Sequence, residues 1–161
     1  MNTYLVEGGF PLEGSVEIHG AKNSVLPILA AALLAPGECM IHNCPRLSDV
    51  EASLAILRHL GCSARREGDA VVVDASAPTR YDVPDELMRE MRSSVIFLGA
   101  VLGRMGRARM CAPGGCELGP RPIDLHLAAI RALGGQITEA DGGLRCEGKL
   151  HGADIVLSLP S

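Results

Sequence analysis

Apolar residues recur along this chain at the spacing of amphipathic helices, and short strand-like runs lie between them. The first predicted helix extends from Asn23 or Ser24 to Ala35, where a Pro-Gly pair ends it. Its proline, Pro27, is tolerated because it falls in the predicted first turn. The sequence Ser-Asp-Val-Glu then forms a capping box that opens a second helix over 48–60, and a glycine follows that helix.

The strand-like runs surround these helices. The segments "TYLVEGG" and "GSVEIHG" predict short strands near the N-terminus, and "ECMIHN" predicts a strand between the two helices. The stretch "CSARREGDAVVVDA" predicts a hairpin that turns at Gly68 and Asp69. The first 75 residues or so therefore read as a helix, a strand, a second helix and a hairpin, preceded by an extended segment.

The same order of elements then recurs. The stretch "KNSVLPILAAALLAPG" is echoed by "RSSVIFLGAVLGRMG", in which Arg92 lies 70 positions after Lys22. Likewise "LAILRHLG" is echoed by "LAAIRALG", in which Leu127 lies 73 positions after Leu54. A second hairpin is predicted to turn at 141–143. The chain is therefore an α/β protein with a duplicated helix–strand–helix–hairpin unit, and the second copy has gained three residues between its two helices.

Composition limits the function classes. The 161 residues are 47% hydrophobic and 21% charged, which suits one domain with its own core. A formal charge of −4 and the absence of Lys/Arg runs argue against a nucleic-acid partner. The longest apolar stretches fall short of the roughly 18 residues of a membrane span. Because the N-terminus lacks the pattern of a secretory signal, we expect a cytosolic protein whose six cysteines stay reduced.

The three extra residues fall in or beside "APGGCELGPRPIDLH", a loop rich in glycine and proline that carries Cys116. Such a loop displays its side chains to solvent or to a ligand rather than to a core. A thiol near Arg121 and a helix N-terminus would have a lowered pKa, which suits a nucleophile or a proton donor. Cys116 is therefore the leading candidate for a catalytic residue.

Three cations stand where predicted helices begin: Lys22, Arg92 and Arg121. A cation there opposes the helix dipole unless an anion binds to the same N–H groups. The three together predict a site for phosphate or carboxylate. The alternative is that each is an ordinary solvated side chain, with Asn23, Ser24 and Ser94 serving as N-caps.

Other side chains offer weaker candidates. The spacing C-x4-C occurs twice, at Cys39/Cys44 and Cys111/Cys116, and leaves a zinc site open, although duplication alone would repeat such a spacing. Cys39, Cys62, Cys111 and Cys146 are expected as small core or edge residues. His126 either faces the Cys116 site or packs locally. No phosphate-binding loop or dinucleotide fingerprint is present, so no cofactor is expected; the usual zinc spacings and paired knuckles are also missing, so zinc is kept only as an alternative.

The stretches "GAKNSVLPILAAALL", "MRSSVIFLGAVLGR" and "PGGCELGPRPIDLH" closely resemble the UDP-N-acetylglucosamine 1-carboxyvinyltransferases. The resemblance covers essentially the whole chain. It implies an inside-out α/β barrel of the enolpyruvyl transferase type with six repeated units, of which two are present here. It also implies transfer of the enolpyruvyl group of phosphoenolpyruvate to the 3′-hydroxyl of UDP-N-acetylglucosamine, with release of phosphate, in peptidoglycan synthesis.

The same resemblance implies roles for individual residues. Lys22 and Asn23 would hold phosphoenolpyruvate, and Cys116 would act as general acid and carry a covalent adduct on a loop that closes over the substrates. The residues implied for UDP-N-acetylglucosamine are Arg92, Arg121, Pro122, Ile123, Asp124, Leu125 and Ser161.

The resemblance further implies that residues 1–18 form a strand segment that pairs with a second domain. Residues 19–161 would be a partial first domain with units at about 19–90 and 91–161. The partners are then the two small-molecule substrates and the remainder of the chain, with no nucleic acid and no membrane. Two alternatives stay open: the sister transferase that acts on shikimate 3-phosphate, and a non-catalytic fragment that binds nucleotide sugar weakly.

Overall fold

Two helix–strand–helix–hairpin units follow one another in the computed structural model, which describes residues 3–91, 93–111, 123–140 and 142–158. In the first unit, α1 and α2 alternate with β1, and a hairpin of β2 and β3 completes it. The bounds are α1 Lys22–Ala32, β1 Glu38–Ile41, α2 Ser48–His59, β2 Ser63–Glu67 and β3 Ala70–Asp74. The predicted turn at Gly68 and Asp69 is confirmed, and Gly68 has the positive φ of 63° that such a turn requires.

A short connection leads into the second unit. It contains β4 (Asp82–Val83) and α3 (Asp85–Glu90), neither of which the sequence pattern predicted. The second unit then repeats the order of the first. Its bounds are α4 Ile96–Met105, β5 Arg107–Cys111, α5 Asp124–Ala132, β6 Gln136–Ala140 and β7 Gly143–Glu147.

The two sheets show that the sequence repeat is a structural one. The first has the strand order β1-β3-β2, and the second has β4-β5-β7-β6, so the hairpin's second strand lies in the middle each time. Ile41 stands opposite Val71 in the first sheet, and Met110 stands opposite Leu144 in the second. Except for β4, which joins β5 in parallel, the described neighbours are antiparallel. The predicted duplication is confirmed.

The predicted N-terminal strands are not formed. The described residues 3–21 contain no strand, and the large apolar side chains of this segment are 78–98% exposed. A strand needs a neighbour for its backbone N–H and C=O groups. The hydrophobic alternation of this segment is therefore that of a strand, but the described residues supply no partner for it.

The helix starts differ from those expected. α1 begins at Lys22 after Ala21, so Asn23 and Ser24 lie inside the helix and the interpretation of them as N-caps is wrong. Pro27 accordingly sits in the second turn. α2 begins at Ser48 after an extended Leu47 and has no side-chain cap, so the predicted capping box is not made. In both helices the chain enters one or two residues earlier than the polar signal suggested, and no side-chain cap is made at either start.

Helix faces and sheet faces share one apolar core. Its fully buried members include Leu29 and Leu33 of α1, Leu54 and Leu57 of α2, and Phe97 of α4. With aromatic residues at 2% of the chain, aliphatic side chains fill this space as composition predicted. Within the described residues, no helix is both long and apolar enough to cross a membrane.

Candidate functional site

The N-terminal ends of α1 and α2 meet at an ion pair between Lys22 and Asp49. The Lys22 Nζ atom lies 2.8 Å from Oδ2 of Asp49. The Lys22 side chain is 52% exposed, whereas Asp49 is 21% exposed. Asp49 is in the first turn of α2, where the helix dipole favours a carboxylate, while Lys22 is the first residue of α1, where the dipole opposes a cation. The predicted cation at a helix start is thus confirmed for Lys22.

Asn23 follows Lys22 on the exposed rim of α1. The Ser24 and Val25 amides both donate to the Ala21 carbonyl oxygen, at 3.1 and 3.0 Å. The amides of Lys22 and Asn23 precede the first intrahelical bonds and point out of the helix end. A cation, an amide side chain and free backbone donors therefore share this end of α1, a combination that suits an anion.

A close approach between two segments fixes the position of Lys22. A Cβ atom at Gly20 would overlap the carbonyl oxygen of Asn43, so only glycine fits there. Asn43 itself has a φ of 51°, in the left-handed region that asparagine tolerates. The loop that carries Asn43 leads into α2, and its contact with Gly20 holds the starts of α1 and α2 side by side.

Arg66 fastens the same loop from the other side. Its guanidinium donates to the carbonyl oxygens of Cys44 at 3.0 Å and Pro45 at 3.4 Å, and it contacts Glu51 Oε1 at 3.0 Å. Only 14% of the Arg66 side chain is exposed. Sequence reasoning missed this residue. The available signal was an arginine two positions from Ala64, on the core-facing register of a predicted strand.

Four of the five described thiols lie in surroundings that disfavour the charged thiolate. Burial raises the pKa of Cys44, Cys62, Cys111 and Cys146, and the nearby Asp85 carboxylate raises that of Cys111 further. Cys62 and Cys146 are buried and Cys39 and Cys111 are half-buried, as expected of small core or edge residues, while Cys44, whose setting the sequence left open, is buried in the loop before α2. Cys62 lies just before β2 rather than in a strand.

The repeated C-x4-C spacing was attributed to the duplication, and the register of the two sheets shows that this interpretation is wrong. Because Ile41 and Met110 are equivalent, Cys39 corresponds to Ala108, and Cys111 corresponds to His42. Cys39 and Cys111 therefore do not occupy equivalent positions in the two copies. Among the described residues, no group of three His, Cys, Asp or Glu side chains comes together to hold a metal.

Half of the predicted site lies outside the described residues: Cys116, Arg92, Arg121, Pro122 and Ser161. The others in the nucleotide-sugar set stand at the start of α5. Ile123 precedes the helix and its carbonyl oxygen accepts from the Leu127 amide at 3.0 Å. Asp124 is the first helical residue and is exposed, and Leu125 follows it.

Two further expectations concern neighbouring polar residues. Ser94 is not an N-cap: it is buried, its hydroxyl donates to the Met88 carbonyl oxygen at 3.0 Å, and α4 begins after Val95. His126 is exposed on α5. A cavity of about 400 Å³ lies on the second sheet beside Arg109 and Arg145, and its lining does not include Lys22 or Asn23.

Comparisons with known proteins agree on one family. A family model described as EPSP synthase (3-phosphoshikimate 1-carboxyvinyltransferase) matches residues 6–161. The chain is 49% identical to UDP-N-acetylglucosamine 1-carboxyvinyltransferase 2 of Caldanaerobacter subterraneus subsp. tengcongensis and 44% identical to the UDP-N-acetylglucosamine 1-carboxyvinyltransferase of Sorangium cellulosum. Both matches cover 100% of this chain, but only 39% and 38% of those proteins. The resemblance carried by the sequence motifs is confirmed.

Solved structures confirm the fold class. The enolpyruvyl transferase NikO from Streptomyces tendae matches with a TM-score of 0.75 and 29% identity, over 88% of this chain and 31% of that one. EPSP synthase from Acinetobacter baumannii matches with a TM-score of 0.63 and 21% identity, over 92% of this chain and 35% of that one. The described residues form two units of this α/β fold and do not close a barrel.

Proposed function

Because this chain belongs to the EPSP synthase family, we propose that the complete protein transfers the enolpyruvyl group of phosphoenolpyruvate to UDP-N-acetylglucosamine. The observation that carries the proposal is the 41–49% identity to enzymes of that name over nearly the whole chain. The chain spans less than two fifths of their length, so the activity is assigned to the complete protein. The remainder of the chain is then its essential partner.

The choice of acceptor substrate rests on a difference in similarity. The solved EPSP synthases share 21% of residues with this chain, whereas the UDP-N-acetylglucosamine transferases share more than 40%. The stretch "PGGCELGPRPIDLH" and the Lys22-Asn23 pair also favour the nucleotide sugar over shikimate 3-phosphate. With this acceptor, the proposed enzyme would act in the cytoplasm and catalyse the first committed step of peptidoglycan synthesis. It would thereby be required for cell shape and division.

In the proposed reaction, the sugar 3′-hydroxyl gives its proton to a general base and its oxygen adds to C2 of phosphoenolpyruvate, while C3 gains a proton from a general acid. Loss of a C3 proton and departure of phosphate then restore the double bond. No resident cofactor or metal is required, because the enol phosphate itself supplies the leaving group. Cys116 is the proposed donor of the C3 proton and the site of a covalent phosphoenolpyruvate adduct.

Lys22 and Asn23 are the proposed phosphoenolpyruvate ligands. Support comes from the exposed start of α1, where the Lys22 ammonium and outward-pointing backbone amides share one helix end. Arg92, Arg121 and Ser161, together with the segment 122–125, are the proposed ligands of UDP-N-acetylglucosamine. The exposed start of α5 at Asp124 is consistent with that assignment.

We also propose a division of the chain into a segment that pairs with a second domain and a part of the first domain. Residues 1–18 would pair with a second domain, and residues 19–161 would form part of the first, with units at about 19–90 and 91–161. Support comes from Tyr4, Phe10 and Leu12, which are at least 78% exposed although their side chains are apolar. A partner strand in the complete protein would cover them.

Fosfomycin, an epoxide that mimics phosphoenolpyruvate, tests the proposed function in the complete protein. We expect it to alkylate Cys116 selectively, as read by peptide mass mapping, and to stop phosphate release. Cys116→Ser should abolish the labelling, and Cys39→Ala, a half-buried thiol on β1, should leave it intact. Equal labelling of all the cysteines, or no phosphate release from phosphoenolpyruvate and UDP-N-acetylglucosamine before treatment, would contradict the proposal.

A further inference from the structure

Asp49, which forms an ion pair with Lys22, is not among the residues proposed to bind substrate or to transfer protons. The Lys22 ammonium has three N–H donors, and Asp49 accepts one of them at 2.8 Å. About half of the Lys22 side chain remains exposed, so the other donors are open to solvent. Asp49, in contrast, is largely covered and belongs to the first turn of a twelve-residue helix. A rigid acceptor thus holds a cation that still faces outward.

We propose that Asp49 is a positioning residue that fixes the Lys22 ammonium for the incoming phosphoenolpyruvate anion. The proposal rests on the proposed function, because it assumes that Lys22 receives that anion. A free lysine has four rotatable side-chain bonds, and ordering them on binding weakens the interaction. The ion pair with Asp49 orders the Lys22 side chain before the substrate binds, so less side-chain entropy is lost on binding.

The surroundings make Asp49 suitable for this task. Its backbone carbonyl oxygen accepts from the Ser53 hydroxyl at 2.9 Å, and the contact of Gly20 with Asn43 keeps the two helix starts together. The N-terminal dipole of α2 offsets part of the Asp49 charge. The carboxylate therefore orients the ammonium without cancelling all of its attraction for an anion.

A neighbouring ion pair supplies the matched control. Glu51 lies two residues further along the same first turn, and its carboxylate contacts Arg66 at 3.0 Å. Its side chain is 57% exposed, and its partner faces the loop before α2 rather than the start of α1. Glu51→Gln removes the same charge from the same helix end as Asp49→Asn, but it leaves Lys22 and its partner untouched.

The first measurement needs no substrate. In the complete protein labelled with ¹³C-lysine, the variants Lys22→Arg and Lys149→Arg identify the Cε signals of the two lysines of this chain. We expect ¹³C relaxation to show Lys22 markedly more ordered than the exposed Lys149, and Asp49→Asn to make the two alike. Glu51→Gln should leave the difference in place. Equal mobility of the two lysines in the unaltered chain would overturn the proposal.

The second measurement uses the complete protein. Asp49→Asn should raise the KM for phosphoenolpyruvate at least fivefold and change the KM for UDP-N-acetylglucosamine less than twofold. Asp49→Glu should restore part of the loss, and Glu51→Gln should keep both constants within twofold. An unchanged KM for phosphoenolpyruvate in Asp49→Asn, or an equal rise for both substrates, would also overturn it. If the unaltered complete protein has no transferase activity, the proposed function fails, and the relaxation experiment alone decides whether Asp49 orders Lys22.

Discussion

The helices α2 and α5 hold the same place in the two copies and share a sequence pattern, yet they are buried to different depths. Leu54, Leu57 and Leu60 at the end of the first copy's helix have no exposed surface. Their equivalents in the second copy are less covered: Leu127 is 8% and Ile130 is 7% exposed. The two helices end in the same backbone hydrogen bond. The Cys62 amide donates to the Leu57 carbonyl oxygen at 3.0 Å, and the Gly135 amide donates to the Ile130 carbonyl oxygen at 2.9 Å.

Neighbours account for the difference. α2 packs between α1, α3 and the strand β2, whereas the closest packing of α5 within the described residues is with β6. Arg58 of α2 also donates to the Ala64 carbonyl oxygen at 2.7 Å. The spacing of apolar residues therefore identifies which face of a helix is buried. The number of helices and strands packed against that face decides how deeply its side chains are buried.

The largest effect should come from shortening a side chain at the equivalent positions of the two helices. Leu57→Ala should lower the free energy of unfolding by about 3 kcal/mol, because it leaves a cavity in a fully buried site. Ile130→Ala should cost roughly half as much, since its site is more open and can relax. Urea unfolding followed by far-UV circular dichroism measures both.

The critical result is which of the two variants loses more free energy of unfolding. Equal losses would mean that α5 is as deeply packed as α2. A larger loss for Ile130→Ala would reverse the comparison between the copies.

The hairpins of the two copies also differ. Arg66 of β2 binds the loop before α2, and the register places Glu139 of β6 at the equivalent position. A carboxylate only accepts hydrogen bonds, so it cannot donate to backbone carbonyl oxygens as the Arg66 guanidinium does. The attachment between hairpin and loop in the first copy therefore has no chemical equivalent at position 139 of the second.

Arg66→Ala should destabilise the chain by about 2 kcal/mol, because it leaves the carbonyl oxygens of Cys44 and Pro45 without their donor. Arg65→Ala is the matched control on the same strand. Arg65 pairs with Glu38 and Glu67 in the open, so its loss should matter much less. Chemical denaturation of both variants tests this. Indistinguishable midpoints would show that Arg66 contributes no more than a surface ion pair.

The local sequence pattern was sufficient to predict the repeated order of helices and strands, but not the contacts between residues distant in the chain. The turn at Gly68 and the end of α2 at Gly61, whose φ is 97°, follow from glycine's conformational freedom and were predicted. The strand β4 was missed because two residues carry no period and pair only when β5 is present. For α3 a signal existed, since Pro84 followed by two acidic residues is a common helix start.

The candidate site shows the same limit. Lys22 was identified from its place before an apolar helix, because the conflict between its charge and the helix dipole is visible in the sequence. Asp49 was not, since nothing local indicates that the starts of α1 and α2 meet. The N-terminal segment shows the opposite case: its apolar residues predict strands, but no described strand lies beside it, and its pairing with a second domain stays a prediction.

The smallest effect should appear at alkaline pH and should also separate the copies. Burial raises the pKa of the Cys62 thiol in the folded chain above its usual value of about 9. The unfolded chain then loses this proton first, so the stabilisation is complete below pH 9 and is lost as the pH rises through the folded-state pKa. Cys62 ends the deeply packed α2 segment, and its equivalent in the second copy, Gly135, has no thiol. We expect Cys62→Ala to lose less stability between pH 8 and 10 than the unaltered chain does, in urea titrations under reducing conditions. If Cys62→Ala loses as much stability over this pH range as the unaltered chain, burial of the Cys62 thiol does not contribute to the pH dependence of folding.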